Sequence, residues 1–144
     1  MRYFPQITMA LLLGLSAASP LRAQDRHAGD QSGVSAEVTY AAPIPNIPGK
    51  SLKAVEVTFA PGAIDRAHRH ASSAFIYAQV LEGSIRSQIE GEPEHVFRTG
   101  EHWAEQPGAH HIGAANASKT KPAKLLAVFV VDTDDTVLTI PDMK

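Results

Sequence analysis

Pro61-Gly62-Ala63-Ile64-Asp65-Arg66-Ala67-His68-Arg69-His70 is the stretch whose reading decides the fold. Side chains alternate faces along a strand, so His68 and His70 point one way and Arg69 the other. Two imidazoles on neighbouring same-face positions can chelate one metal ion, and neutral imidazole suits zinc, iron, copper or nickel. A His-x-His triplet alone carries little weight. Here it follows Pro61-Gly62, and a second histidine pair, His110-His111, follows a second Pro-Gly at Pro107-Gly108.

Around these stretches the sequence reads as short strands with turn punctuation and no helical period. Ser51–Phe59 alternates Leu52 and Ala54 against Lys53 and Glu56, with β-branched Val55 and Val57. Phe75–Leu81 and Ile85–Ile89 flank Glu82-Gly83, a predicted turn, and Gly91-Glu92-Pro93 separates the latter from His95–Arg98. Lys124–Val131 is an apolar run whose length and β-branched content favour a buried strand. Many short strands in a small chain predict an antiparallel barrel or sandwich.

Taken together, Gly62-x5-His68-x-His70 … Gly83 and Gly100 … Pro107-Gly108-Ala109-His110-His111 … Asn116 resemble the two motifs of the cupin superfamily. The resemblance spans roughly residues 50–131 and implies an all-β, antiparallel double-stranded β-helix, or jelly-roll barrel. It further implies one divalent metal ion held by His68, His70 and His111, with iron, manganese, zinc, copper and nickel not distinguished. The usual cupin glutamate, separated from the His-x-His pair by three or four residues, is absent, because Ala74 and Phe75 stand there. Glu105, on the strand leading into Pro107 and on the same face as Trp103, is the candidate fourth ligand or catalytic base. Gln79 could coordinate only if a bulge reversed its face. His110 is expected to point away from His111, and His27, His95 and His102 have no partner at ligand spacing. Phe75, Tyr77, Phe97 and Trp103 read as core packing or pocket lining. Arg66, Arg69 and Arg86 read as outer-face residues, and Asn116 as a turn or strand-end tie.

The N-terminus carries Arg2, an apolar run from Ile7 to Ala18, and Ser19-Pro20-Leu21-Arg22-Ala23. This is the order of a secretory signal peptide, with cleavage expected after Ala23. A run of roughly a dozen residues is too short to span ~30 Å of hydrocarbon as a helix. Loss of residues 1–23 removes two arginines and no acids, moving the net charge from −2 to about −4. A mildly acidic domain without a basic stripe speaks against nucleic-acid or anionic-lipid binding. The absence of cysteine excludes disulfides and thiolate chemistry. The expected organisation is a signal peptide over 1–23, a flexible leader and Pro-rich connector over 24–48, the barrel over 49–134, and a C-terminal tail over 135–144.

The expected protein is exported, periplasmic or extracellular, and free of the membrane after cleavage. It binds a metal and a small-molecule ligand or substrate. The resemblance implies a non-haem, metal-dependent oxygenase acting on a small organic molecule, since three-histidine cupins include dioxygenases. A non-catalytic metal- or ligand-sensing module is the alternative. A metal-assisted isomerase or cyclase is the third reading, with Glu105 or His110 as base. A homodimer is an arrangement the family allows, through the Pro-rich segment 43–48 or the tail from Asp132.

Overall fold

The computed structural model describes residues 33–143. The signal-peptide reading, His27 and most of the leader lie outside the described residues. The described chain forms eleven strands and no helix: β1 Val34–Pro43, β2 Lys50–Phe59, β3 Ile64–Asp65, β4 His68–His70, β5 Phe75–Glu82, β6 Ser84–Ile89, β7 His95–Arg98, β8 His102–Glu105, β9 His110–Asn116, β10 Ala123–Asp132 and β11 Thr139–Pro141. One sheet has the order β1-β2-β10-β5-β8. The other has the order β11-β4-β9-β6-β7, with β3 also paired to β9. All neighbours are antiparallel, as the expected barrel requires.

Alternation places the core. On β10 the odd positions Ala123, Leu125, Ala127, Phe129 and Val131 are buried, and on β5 the even positions Ile76, Ala78 and Val80. On β2 the inner face is Ser51, Val55 and Phe59. Lys53 shares the inner parity but extends to donate from Nζ to the Asp135 carbonyl at 2.7 Å, as a long stem with a polar tip allows. Two apolar clusters result. Phe59, Val80, Ile85 and Leu125 anchor one, and Val55, Ile76, Phe129 and Val131 the other. Half of the buried hydrophobic residues are alanines, so the facing sheets leave interior volume for larger polar side chains.

Two expected boundaries are corrected. The barrel was expected to begin at residue 49, but β1 runs from Val34 to Pro43 and pairs with β2 from Val34↔Phe59 to Pro43↔Ser51. Polar composition hid it: as an edge strand exposed along most of its length, β1 needs no apolar alternation. The tail over 135–144 contains β11, which pairs with β4 from Thr139↔His70 to Pro141↔His68. Its residues are exposed, so it too lacks an apolar signature.

Asn116 ties strand ends together, as expected. Its Nδ2 donates to the carbonyls of Ala60 at 3.0 Å and Lys121 at 2.8 Å, while Oδ1 accepts from Ser118 N at 2.9 Å. Gly83, in the predicted β5–β6 turn, has φ +73°, and a Cβ there would stand 2.9 Å from the Pro122 oxygen and 3.0 Å from Ala123 Cβ. Gly108 has φ +74° with nothing within 4 Å. Both alanine variants should lose roughly 1–2 kcal/mol to backbone strain. Gly83→Ala should lose about 1–3 kcal/mol more to overpacking. Equal urea midpoints for the two variants would refute this.

Candidate metal centre

β4 is only three residues long, yet it buries His68 and His70 and exposes Arg69. Its neighbour β9 places His111 opposite His68 and His110 opposite Arg69. The inward position of His111 depends on a bulge. The β6–β9 register steps from Gln88↔Gly113 to Ile89↔His111, leaving Ile112 unpaired. That extra residue lets both His111 and Ala114 face inward. The ligand atoms of His68, His70 and His111 lie within 4.8 Å of one another, and all three side chains are buried. The rings of His68 and His70 are 4.7 Å apart between centroids, and those of His68 and His111 5.0 Å.

The fourth group arrives from the facing sheet. Glu105 ends β8, pairs with Ile76 on β5, and is 3% exposed. Its Oε2 stands 3.2 Å from His70 Nε2, and its Oε1 3.5 Å from His111 Nδ1. Trp103 Nε1 donates to Oε1 at 3.0 Å, so the two same-face residues of β8 are coupled. Burial by itself would raise the Glu105 carboxyl. The neighbouring imidazoles of His70 and His111 and the Trp103 donor outweigh it and hold the group below the ordinary carboxylate range. Burial pushes His111 down to about 4, partly offset by the Glu105 carboxylate, so its ring is neutral near pH 7.

Hydrogen bonds orient the imidazoles. His68 Nδ1 lies 2.7 Å from the Arg66 carbonyl, and His70 Nδ1 3.0 Å from the Leu138 carbonyl. A carbonyl oxygen can only accept, so a proton on Nδ1 satisfies each of these contacts and turns Nε2 inward. His111 Nε2 meets Ser87 Oγ at 2.9 Å. On His70 the consequence is a conflict, because Nε2 faces a carboxylate oxygen that also only accepts. Oε2 of Glu105 is buried without a hydrogen bond. A cation between these atoms resolves the conflict, so the residues present fit a metal ion.

The remaining expectations sort cleanly. His110 turns away, with Nε2 2.8 Å from Asp142 Oδ2 and Nδ1 3.4 Å from Glu90 Oε2. Gln79 faces outward, toward the Gly100 carbonyl at 3.5 Å. Phe75 and Tyr77 are exposed on the outer face. Arg69 pairs with Glu90 and Arg86 with Glu94, both at the surface, and Arg66 does not join the cluster. Phe97 and Trp103 stack at 4.5 Å and, with Ser87, Ile89, Glu92, Pro93 and His95, line a cleft of about 50 Å³. A shallower hollow beside it is lined by His95, Phe97, Gly100, Glu101 and His102. Thus His95, given no role from spacing, lines the same cleft as Ser87, while His102 lines only the neighbouring hollow and packs against Tyr77 at 5.3 Å. Sequence reasoning missed Ser87, although a serine two residues after inward Ile85 is a readable signal. It could not find the Arg66 and Leu138 carbonyls, which any residue type supplies.

The metal-free protein should be acid-labile. A neutral His111 in the fold, against an ordinary histidine in the unfolded chain, gives stability that is full above pH ~6.5 and lost as pH falls toward 4. The loss is on the order of 3 kcal/mol, and the depressed Glu105 adds to it below its ordinary range. Urea midpoints measured in chelator from pH 7.5 to 4 should fall across this window in wild type and less in His111→Gln. Parallel profiles for the two proteins would refute the assignment.

Comparison with known proteins agrees with the geometry. The sequence matches the Cupin_2 family, a cupin domain, over residues 55–129, just over half the chain. No match is found among curated proteins. Among solved structures, an oxalate oxidase in complex with the substrate analogue glycolate is similar at 23% identity, 71% of this chain, 53% of that chain and TM-score 0.56. KdgF from Halomonas sp. is similar at 23% identity, 73% of this chain, 84% of that chain and TM-score 0.55. An uncharacterized conserved protein with a double-stranded β-helix domain from Klebsiella pneumoniae is similar at 15% identity, 81% of this chain, 90% of that chain and TM-score 0.61. The chain spans about half the length of the oxalate oxidase, and at these identities the likeness speaks to fold alone. With its two facing antiparallel sheets, its motif histidines gathered on β4 and β9, and this family match, the chain belongs to the cupin family.

Proposed function

We propose that this cupin is an exported metal-binding protein that acts on a small organic molecule as a metal-dependent oxygenase. His68, His70 and His111 hold one divalent ion, and Glu105 stands beside it as fourth ligand or proton acceptor. The observation that carries the metal reading is the buried Glu105 Oε2, which has no hydrogen bond and lies 3.2 Å from His70 Nε2. A divalent ion held by three neutral imidazoles keeps open positions and supplies Lewis-acid or, if redox-active, electron-transfer chemistry.

The chain's own residues do the rest. Ser87 lines the cleft and contacts His111, while Trp103 lines it and donates to Glu105, so a molecule entering there meets the ligand cluster. Trp103 and Phe97 offer it an apolar wall, and Glu105, acceptor-only when ionised, can take a proton from it. Neither hollow carries a lysine or arginine, which favours an uncharged molecule over a carboxylate. The small cleft, about 50 Å³, favours a second reading, a metal-binding module without turnover.

Metal analysis of untagged protein should find close to one ion per chain. His70→Ala and His111→Ala should lose it at least tenfold, and Arg69→Ala, altered on the opposite face of β4, should keep it. Wild type that takes up no metal under any loading condition would refute the reading. Oxygen uptake on a panel of small neutral substrates separates the oxygenase from the module without turnover. Export predicts that protein recovered outside the cytoplasm begins at Gln24, whereas a retained full-length chain would exclude it.

A further inference from the structure

The C-terminal segment after β10 does more than end the chain. It leaves the barrel at Asp132, and Thr133 is held by its amide to the Gly49 carbonyl at 2.9 Å and by its hydroxyl to Ser51 Oγ at 2.9 Å. Asp135 accepts from Ser73 Oγ at 2.5 Å, and its carbonyl accepts from Lys53 Nζ at 2.7 Å. Leu138 packs its side chain against the cluster of Val55, Ile76 and Phe129. β11 then pairs with the ligand strand β4, setting Thr139 against His70 and Pro141 against His68. Past it, Asp142 N donates to the Ala67 carbonyl at 3.1 Å and Asp142 Oδ2 meets His110 Nε2 at 2.8 Å. The whole segment lies beyond the family match, which ends at residue 129.

Among these contacts one bears on the chemistry. The Leu138 carbonyl faces the His70 ring at Nδ1 and also accepts from the Ala71 amide at 3.4 Å. On the other side of the same ring, Glu105 Oε2 faces Nε2 at 3.2 Å. A neutral imidazole has one N–H, so the Leu138 carbonyl and the Glu105 carboxylate compete for a single proton. A charged acceptor is the stronger of the two. It prevails unless the carbonyl is held fixed and the ring with it.

We propose that residues 133–142 form a positioning strap whose Leu138 carbonyl holds the His70 proton on Nδ1, leaving Nε2 unprotonated for a metal ion. The inference rests on the metal-centre reading above. The apolar anchor at Leu138, the Asp135–Ser73 bond and the β11–β4 ladder each hold that carbonyl in place. Once the strap is displaced, Glu105 draws the proton to Nε2, and the ligating atom is blocked without any change in the histidines. Leu138 and Asp135 are thus positioning residues, acting through His70.

The test uses full-length Asp135→Ala/Leu138→Gly. Amide exchange should show β11 unprotected while β10 and β5 stay protected, establishing that the barrel is intact. Long-range proton–nitrogen spectra of the metal-free protein should show His70 protonated at Nδ1 in wild type and at Nε2 in the variant. Cobalt(II) affinity should fall at least tenfold in the variant. With β11 unprotected, an unchanged His70 nitrogen signature overturns the proposal whatever the affinity does. A switched signature with cobalt affinity within twofold of wild type overturns its link to the metal. Wild type that binds no cobalt would refute the metal reading itself, while the nitrogen signatures still decide whether the strap sets the tautomer. A variant that loses protection throughout is replaced by Asp135→Ala alone, scored by the same signatures.

Discussion

His70 lies between two oxygens that can only accept, the Leu138 carbonyl at 3.0 Å from Nδ1 and the Glu105 carboxylate at 3.2 Å from Nε2. One ring cannot satisfy both while neutral. The contact joins three separate parts of the fold: the histidine strand β4, the end of β8 in the facing sheet, and the segment leading into β11. An unsatisfied carboxylate oxygen in a site 3% exposed is costly in a low dielectric. A cation inside the cluster removes that cost, so the centre's geometry makes sense as a metal-holding arrangement.

The two sheets divide the work. The sheet containing β4 and β9 presents His68, His70 and His111 by simple alternation plus one bulge at Ile112. The opposite sheet contributes Glu105, whose position follows from its pairing with Ile76. Apolar packing reaches the centre from two sides: His70 lies edge-on to Phe129 at 5.5 Å, and Trp103, bonded to Glu105, packs against the cluster around Phe59. A displacement in either cluster is therefore felt at the histidine cluster, because close-packed interiors transmit strain.

Relative to the usual cupin pattern, the acid has moved. Ala74 occupies a fully buried position where a glutamate side chain would be expected, and Glu105 enters from β8 instead. The cluster thus gathers three imidazoles and one carboxylate, and the carboxylate arrives from the opposite sheet beside the Trp103 and Phe97 cleft. Fold similarity at 23% identity or below carries no substrate with it, so the chemistry has to be argued from these residues.

The sequence by itself determined the strand-rich class, the Glu82-Gly83 turn, the shared face of His68 and His70, and the parity that sets Glu105 with Trp103. Those are properties of alternation and turn chemistry, which depend on near neighbours in the chain. Edge strands β1 and β11 were invisible, because an exposed strand bears no apolar pattern, and the boundaries at 49 and 135 were misplaced for that reason. Only the tertiary structure decided that Glu105 meets His70, that Ser87 meets His111, and that the Leu138 carbonyl meets the His70 ring. The first two are contacts across 35 and 24 residues of chain. The third is made by a backbone carbonyl, a group every residue carries, so no side-chain code could have announced it.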